Sequence, residues 1–519
     1  MKAFWLTAFL LALFTAPATA QLPAEPLEIG HEPQFLFDGH VVDNHWAIRY
    51  KRQAVTRVFH QATKNGEPIL KGDQPSFLWV VRDEEAGLFR MYYQANFRND
   101  TPDSKRGRKY TTRIAMAESK DGVQWFRPDL GFFDFHQAKP NNVVVARADQ
   151  PAFESCGPVI LEVPKEQRNG HRWLMLYRAK GRGLGEDSGL HIAGSADGVH
   201  WKPEDDRVIA HLHSDHHNTI SWDPKRREFV MFCRAKHIYR AFGNEMLDTG
   251  ASRRVARFSS PKLWTDWMSQ KDRWPQTVLV PDEIDSAKHF NFFYGMPTRY
   301  RHGIYWGFLE PFRMNDFIQT ELAVSRDGIH FTRFADRKPI IEYGKEGSWD
   351  DEMILVSPSW IEVGDQWWLY YSGWDGPHGT TDRTGAIGMA RIRKEGFVSM
   401  RGPIGGGVVC TRVLRWPGGD LILNAACGEN GVVRVRVSDP GRRPIAGLNY
   451  DECREFNGDS VSHKVSWKGA SIDELKGKLI RLEFYLQSAD IFTFRAADAN
   501  QKEAAISDPS AAVRLPVRR

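Results

Sequence analysis

Acidic and amide side chains gather at five places along the sequence: Asp73 with Gln74, Glu154 with Ser155, Asp215 with His216, His217 and Asn218, Asp285 with Asn291, and Asp350 with Asp351 and Glu352. Each group stands just before an apolar, β-branched run that reads as a strand. Carboxylates that converge in a concave site can divide the work of breaking a glycosidic bond, one protonating the leaving oxygen while another attacks or activates water. Like-charge repulsion within such a set keeps one member protonated near neutral pH. In an extended segment Asp350 and Glu352 alternate onto one face, so their repulsion would supply the proton donor. Asp215 is then the base or nucleophile, with Asp73 the first substitute.

Sugar hydroxyls need amides and carboxylates, and sugar faces stack on aromatics. On that ground Glu154, His216, His217, Asn218, Asn291, Tyr294, Arg313, Asp351 and Trp374 are the expected substrate contacts. The stretch HLHSDHHN could put His211, His213, Asp215 and His217 on one strand face, but it lacks zinc-site spacing and has no second ligand cluster. No metal and no cofactor are expected.

Residues so far apart in sequence meet only if a repeat brings them together. SKDGVQW at Ser119, SADGVHW at Ser195 and SRDGIHF at Ser325 share one pattern, spaced by one and then two periods of roughly 65 residues. Asp-Gly between alternating apolar residues predicts a tight hairpin of type I′. A degenerate copy, VARFSSPKLWTDW from Val255, fills the gap, and GAIGMARIRKEGFVSM from Gly385 adds a fifth. Two more strands precede each turn, as in FLWVVRD then LFRMYYQA. Five units of four antiparallel strands make an all-β, five-bladed β-propeller, whose inner strands line a central channel. The five polar groups would then ring one mouth of that channel as an acidic funnel, suited to a chain end. After about Gly405 the period stops, and strands such as VVRVRV and LIRLEFYL predict a C-terminal β-sandwich. The expected division is a leader at 1–20, a propeller at 21–404, a sandwich at 405–497 and a disordered tail at 498–519.

The five-unit period, the strand-turn units IAMAESKDGVQW and LHIAGSADGVHW and the trailing sandwich resemble secreted bacterial proteins related to glycoside hydrolase families 32 and 43. Those are five-bladed propellers that include invertases, levanases, arabinanases and xylosidases. The resemblance runs from about Gln34 to Phe494. It implies a carboxylate nucleophile or base on the first blade, a modulating Asp on the second or nearby, and a Glu acid further on. The sequence departs from the invertase pattern, since it has no Asn-Asp-Pro-Asn-Gly, its Arg82-Asp83 pair sits in a hairpin turn, and its Asp451-Glu452-Cys453 lies in the other domain. Only the topology is therefore carried over.

Bulk properties narrow the partners. The opening MKAFWLTAFLLALFTAPATA has the layout of a cleaved secretory leader, which predicts a secreted or periplasmic protein with no membrane insertion. The formal charge of +5 is spread along the chain, and the one dense cluster, KRGRK from Lys105, has no interleaved aromatics, so nucleic acid is not an expected partner. Cys156, Cys233, Cys410, Cys427 and Cys453 are few and odd in number, which favours buried thiols and leaves at most one bridge within the C-terminal three. A carbohydrate is the expected partner, and the leading expectation is a secreted, exo-acting glycoside hydrolase on a plant or algal glycan. The alternatives are a non-catalytic sugar-binding propeller and a phosphorylase or transglycosylase, whose phosphate pocket would draw on Arg299, Arg313 and His378.

Overall fold

The computed structural model describes residues 26–43, 55–103, 108–133, 140–145, 154–180, 189–210, 214, 217–234, 253–265, 267, 275–290, 292–313, 316–334, 336–380 and 382–497. The leader at 1–20 and the tail at 498–519 lie outside the described residues. So do His211, His213, Asp215, His216 and Asn291.

Five antiparallel sheets form the blades of a propeller. The first is Ser76–Asp83, Leu88–Asp103, Arg108–Ser119 and Val143–Val145, and the second Glu154–Glu162, Trp173–Lys180, Gly189–Ser195 and Lys202–Ala210. Thr219–Asp223, Glu228–Arg234, Val255–Ser260 and Gln276–Leu279 make the third, so the degenerate repeat is a true blade. The fourth is Thr298–Arg301, Ile304–Leu309, Glu321–Ser325 and Thr332–Arg333. In the fifth, Met353–Val356 and Ile361–Val363 both pair with Gln366–Trp374, followed by Gly385–Arg393 and, from the far end of the chain, Thr63–Lys64. The first strand of each blade lies innermost.

Blades are covered on both faces by their neighbours, so their middle strands are apolar throughout instead of alternating. Ile304–Leu309 and Glu321–Ser325 are buried at every position. The apolar clusters sit between blades: one joins the first three, and others join the third to the fourth, the fourth to the fifth, and the fifth back to the first. That last cluster closes the ring, with Trp368 and Tyr370 against Met91 and Tyr93.

The repeated turn is not the expected type I′ hairpin, which needs positive φ at both central residues. Only the glycines take it, with φ of 73° at Gly122, 75° at Gly198 and 74° at Gly328. The serine hydroxyl accepts from the glycine N–H at 2.8, 2.9 and 2.9 Å. The aspartate Oδ1 accepts from the next two N–H groups, as Asp327 does from Ile329 and His330, both at 2.8 Å. Ser and Asp thus replace backbone hydrogen bonding within a wider turn. The turn also joins blades: Gly122 and Gly198 each accept at the carbonyl from a tyrosine of the preceding blade, Tyr370 at 3.0 Å and Tyr92 at 2.5 Å.

The C-terminal unit is a β-sandwich built on two long strands, Leu421–Ser438 and Leu479–Ala496, that pair along their length with a shift between Cys427 and Val432. N-terminal residues complete it. Leu27–Glu28 runs parallel to Leu414–Arg415, Gln34–Phe35 pairs with Leu479–Ala496, and Thr56–Phe59 pairs with Val398–Gly402. A polar joint fixes this sheet to the last blade: Arg393 donates to Asn424 Oδ1 at 2.6 Å, and the buried Glu395 accepts from Thr493 and pairs with Arg495. None of the five cysteines is in a disulfide. Among the described residues no helix is long and apolar enough to cross a membrane.

Candidate functional site

Antiparallel pairing brings the start of each inner strand and the end of each second strand to the same mouth of the channel. At this mouth the backbone is strained. Asp73, Gln74 and Phe77 have φ of 54°, 42° and 44°, each in the left-handed region that costs a non-glycine residue about 1 kcal/mol or more. The pairing slips between Ser76 and Trp79, a bulge that re-aims Phe77. Its ring lies parallel to that of Tyr294 on the fourth blade, 6.3 Å away at 3°, and 6.0 Å from His217 on the third. Three blades thus meet in one aromatic group.

Tyr294 is the hub of this group. Its carbonyl accepts from Arg234 at 2.9 Å, the guanidinium carbons of Arg234 and Arg253 lie 5.3 and 5.4 Å from its ring, and His378 packs edge-on at 5.2 Å. Its N–H donates to the Glu310 carbonyl at 2.7 Å. Glu310 directly follows the apolar strand Ile304–Leu309 and is 1% exposed. Its Oε2 is buried and accepts no hydrogen bond among the described residues. Burial pushes its carboxyl up to about 8, against the opposing pull of Arg234. Glu310 is therefore a protonated acid at neutral pH.

His217 is buried, and its Nε2 lies 3.0 Å from the Pro158 carbonyl. Burial lowers it to about 4 although that carbonyl opposes the shift, so the ring is neutral at pH 7. It is a spacer between Phe77 and Trp79. Asn218 folds back on its own loop, accepting from the Ser214 hydroxyl at 2.5 Å and donating to the Ser214 carbonyl at 3.1 Å.

A second group of charges lies beyond His378, whose N–H donates to the Asp316 carbonyl at 3.0 Å. Asp316 pairs with Arg313 at 3.1 Å. The Glu352 carboxyl is raised, first by burial and then by Asp351 and Asp316. The repulsion on Glu352 thus comes from these two rather than from Asp350. Asp350 turns the other way, 2% exposed, accepting from Lys64 at 2.8 Å and from the Tyr371 hydroxyl at 2.8 Å. Asp351 accepts from the Gly347 N–H at 2.6 Å.

The remaining positions divide in the same way. Asp73 faces Arg127 at 3.6 Å; burial raises its carboxyl and Arg127 opposes the rise. Gln74 reaches the Arg383 carbonyl at 3.4 Å. Glu154 opposes the desolvation that pushes Arg113 down to about 10. Asp285 lies away from the mouth, in the helical turn Glu283–Ala287, gripped by Arg333 of the outer strand at 2.6 and 2.7 Å. Trp374 is a core residue, 7% exposed, packed with Phe312, Met353 and Leu355.

The mouth is therefore less acidic than its five acidic segments suggest, because Arg113, Arg127, Arg234, Arg253, Arg313 and Arg383 stand among them. Glu310 follows the second strand of its blade and so lies outside the five acidic segments that precede inner strands. Its signal was available: a single carboxylate closing the wholly apolar run IYWGFL has no water to solvate it.

No family model matches the chain. No curated protein matches it either. Among solved structures it is similar to an N-acetylgalactosamine deacetylase from F. plautii in complex with blood group B trisaccharide, at 17% identity and a TM-score of 0.41, over 66% of this chain and 96% of that one. It is also similar to a family-43 β-xylosidase/α-arabinofuranosidase from a compost microbial metagenome in complex with xylotriose, at 13% identity and a TM-score of 0.42, over 66% and 98%. A β-1,2-mannobiose phosphorylase from Listeria innocua aligns at 13% and 0.41, over 66% and 97%. Likenesses this distant carry no argument about chemistry, which rests on the mouth itself.

Proposed function

We propose that the chain is a glycoside hydrolase acting at the mouth where the inner strands begin, with Glu310 as the proton donor. The observation that carries this reading is a buried carboxyl, raised to about 8 by desolvation and beside an aromatic platform that three blades contribute. Such an acid can protonate a glycosidic oxygen at neutral pH. Asp73 is the carboxylate partner, because its left-handed backbone holds it at the channel rim, where Arg127 opposes the rise that burial gives its carboxyl. Glu352, with a raised carboxyl of its own, and Asp215, which lies outside the described residues, are the other acids to test.

The test is release of reducing sugar from a panel of plant and algal glycans. Glu310→Gln should lower turnover by about three or more orders of magnitude, roughly 4 kcal/mol in the barrier, with substrate affinity little changed. Asp73→Asn should do the same. Activity should fall as pH rises through about 8, where Glu310 loses its proton. Near-normal turnover in Glu310→Gln removes it from the mechanism, and sugar binding without release by the unaltered protein would make this a lectin-like propeller.

A further inference from the structure

The channel has a second mouth, where the inner strands end. There all five blades wall a cavity of about 510 Å³, within the size range of small-molecule sites. Four tryptophans line it, Trp79, Trp173, Trp222 and Trp360, together with Arg299 and Arg301. Arg299 and Arg313, grouped by the sequence reading, thus belong to opposite mouths.

The acids at this end are already engaged. Glu84 pairs with Arg82 at 3.0 Å, Glu162 with Arg172 at 3.0 Å, and Glu362 with Arg301 at 2.8 Å and Lys394 at 3.3 Å. Arg299 has no carboxylate within ion-pair distance among the described residues. It donates to the Trp360 carbonyl at 2.9 Å and lies 5.2 Å above the Trp360 ring. Burial pushes its guanidinium down to about 9, Arg301 adds to the fall and Glu362 opposes it, so it still carries its charge at neutral pH. An enclosed guanidinium without a counter-ion favours a bound anion. The cavity is larger than an inorganic anion requires, and Trp222, only partly buried, lines its wall. Indole faces accept the apolar face of a ring while leaving its polar rim free.

We propose that this second mouth binds an acidic sugar residue, a uronate whose carboxylate pairs with Arg299 while its ring packs against Trp222. The site is distinct from the Glu310 mouth and does not rest on the proposed activity. Titration calorimetry of the full chain with D-glucuronate, D-glucose and inorganic phosphate at low salt tests it. Glucuronate should bind more tightly than the other two, and Arg299→Gln should weaken it by about tenfold or more, the loss of one charge-assisted pair. Arg299→Lys should fall between, and Trp222→Ala, at a partly exposed wall, should weaken glucuronate even if Arg299→Gln does not fold. Glu310→Gln should bind glucuronate as the unaltered protein does. Equal binding of phosphate would make this a simple anion site, and equal binding of glucose would remove the role of Arg299; either overturns the proposal. Unchanged glucuronate affinity in Arg299→Gln and Trp222→Ala overturns it too.

Discussion

Glu310 has a cost that can be measured without a substrate. Its folded carboxyl titrates near 8 and its unfolded one near 4.5, so between these values the native state holds a proton that the unfolded chain has released. Stability should therefore decline as pH rises from about 4.5 to 8 and level off above. Glu310→Gln, which keeps the shape and loses the titration, should flatten this part of the profile and melt higher than the unaltered protein at pH 8 while losing activity. Thermal melts of the two proteins across that range check it, and parallel profiles would mean that Glu310 is solvated after all. Such a trade of stability for function is what the proposed role of Glu310 as proton donor requires. His217, Asn218 and Trp374 illustrate the opposite outcome: each is at or near the mouth, yet its polar atoms or ring are satisfied by the protein. Residue type and position along the chain could nominate these side chains, but what uses up each one is set by packing: Pro158 of the second blade for His217, Phe312 of the fourth for Trp374, and for Asn218 the fold of its own loop onto Ser214. That is information a repeat does not carry.

At the scale of the element, the Ser-x-Asp-Gly turn is the feature most legible in the sequence, because its signal is local. Three copies at the expected spacing located the blades, and the degenerate copy held its place through Phe258 and Trp267, whose rings meet at 5.3 Å. The turn departs from type I′ for a physical reason: Ser and Asp side chains take over hydrogen bonds that a two-residue hairpin would leave to the backbone. Burial opposes it, but hydrogen bonds from the His330 ring and from the His330 and Ile329 N–H groups hold the Asp327 carboxyl down at about 2. A depressed carboxyl stabilises the fold above its unfolded value, near 3.8, and that contribution is lost as pH falls towards 2. Asp327→Ala should therefore cost about 1–2 kcal/mol at pH 7 and much less at pH 2.5, as read by urea denaturation at the two values. An equal loss at both would assign the effect to packing. Gly122 makes a sharper test of blade docking, since a Cβ there would stand 3.0 Å from the Tyr370 hydroxyl in a backbone of φ 73°. Gly122→Ala should destabilise more than the same change at the uncrowded Gly87, by a margin visible in melting temperature.

At the scale of the whole molecule, the ring is closed by a strand that the sequence reading did not find. Thr63–Lys64 is two residues long, too short for any alternation to show, and its partner Gly385–Arg393 lies more than three hundred residues away. The same N-terminal stretch supplies Thr56–Phe59 to the sandwich, so a few residues tie propeller and sandwich together. Lys64 carries the closure chemically, its ammonium reaching Asp350 at 2.8 Å with side-chain exposures of 19% and 3%. Asp350, nominated as a catalytic acid, has its Oδ2 filled by Lys64 and Tyr371, and an added Cβ at Gly344 would stand 2.2 Å from its Oδ1. Removing one member of so enclosed a pair leaves the other as an uncompensated buried charge, a loss of about 3–5 kcal/mol. Lys64→Met should lower stability by that order in chemical denaturation and should not change the Glu310 site. Adding Asp350→Asn to Lys64→Met should recover most of the loss, because the stranded anion is then gone. Two losses that simply add would mean that the closing strand is held by its backbone pairing and that the ion pair is incidental.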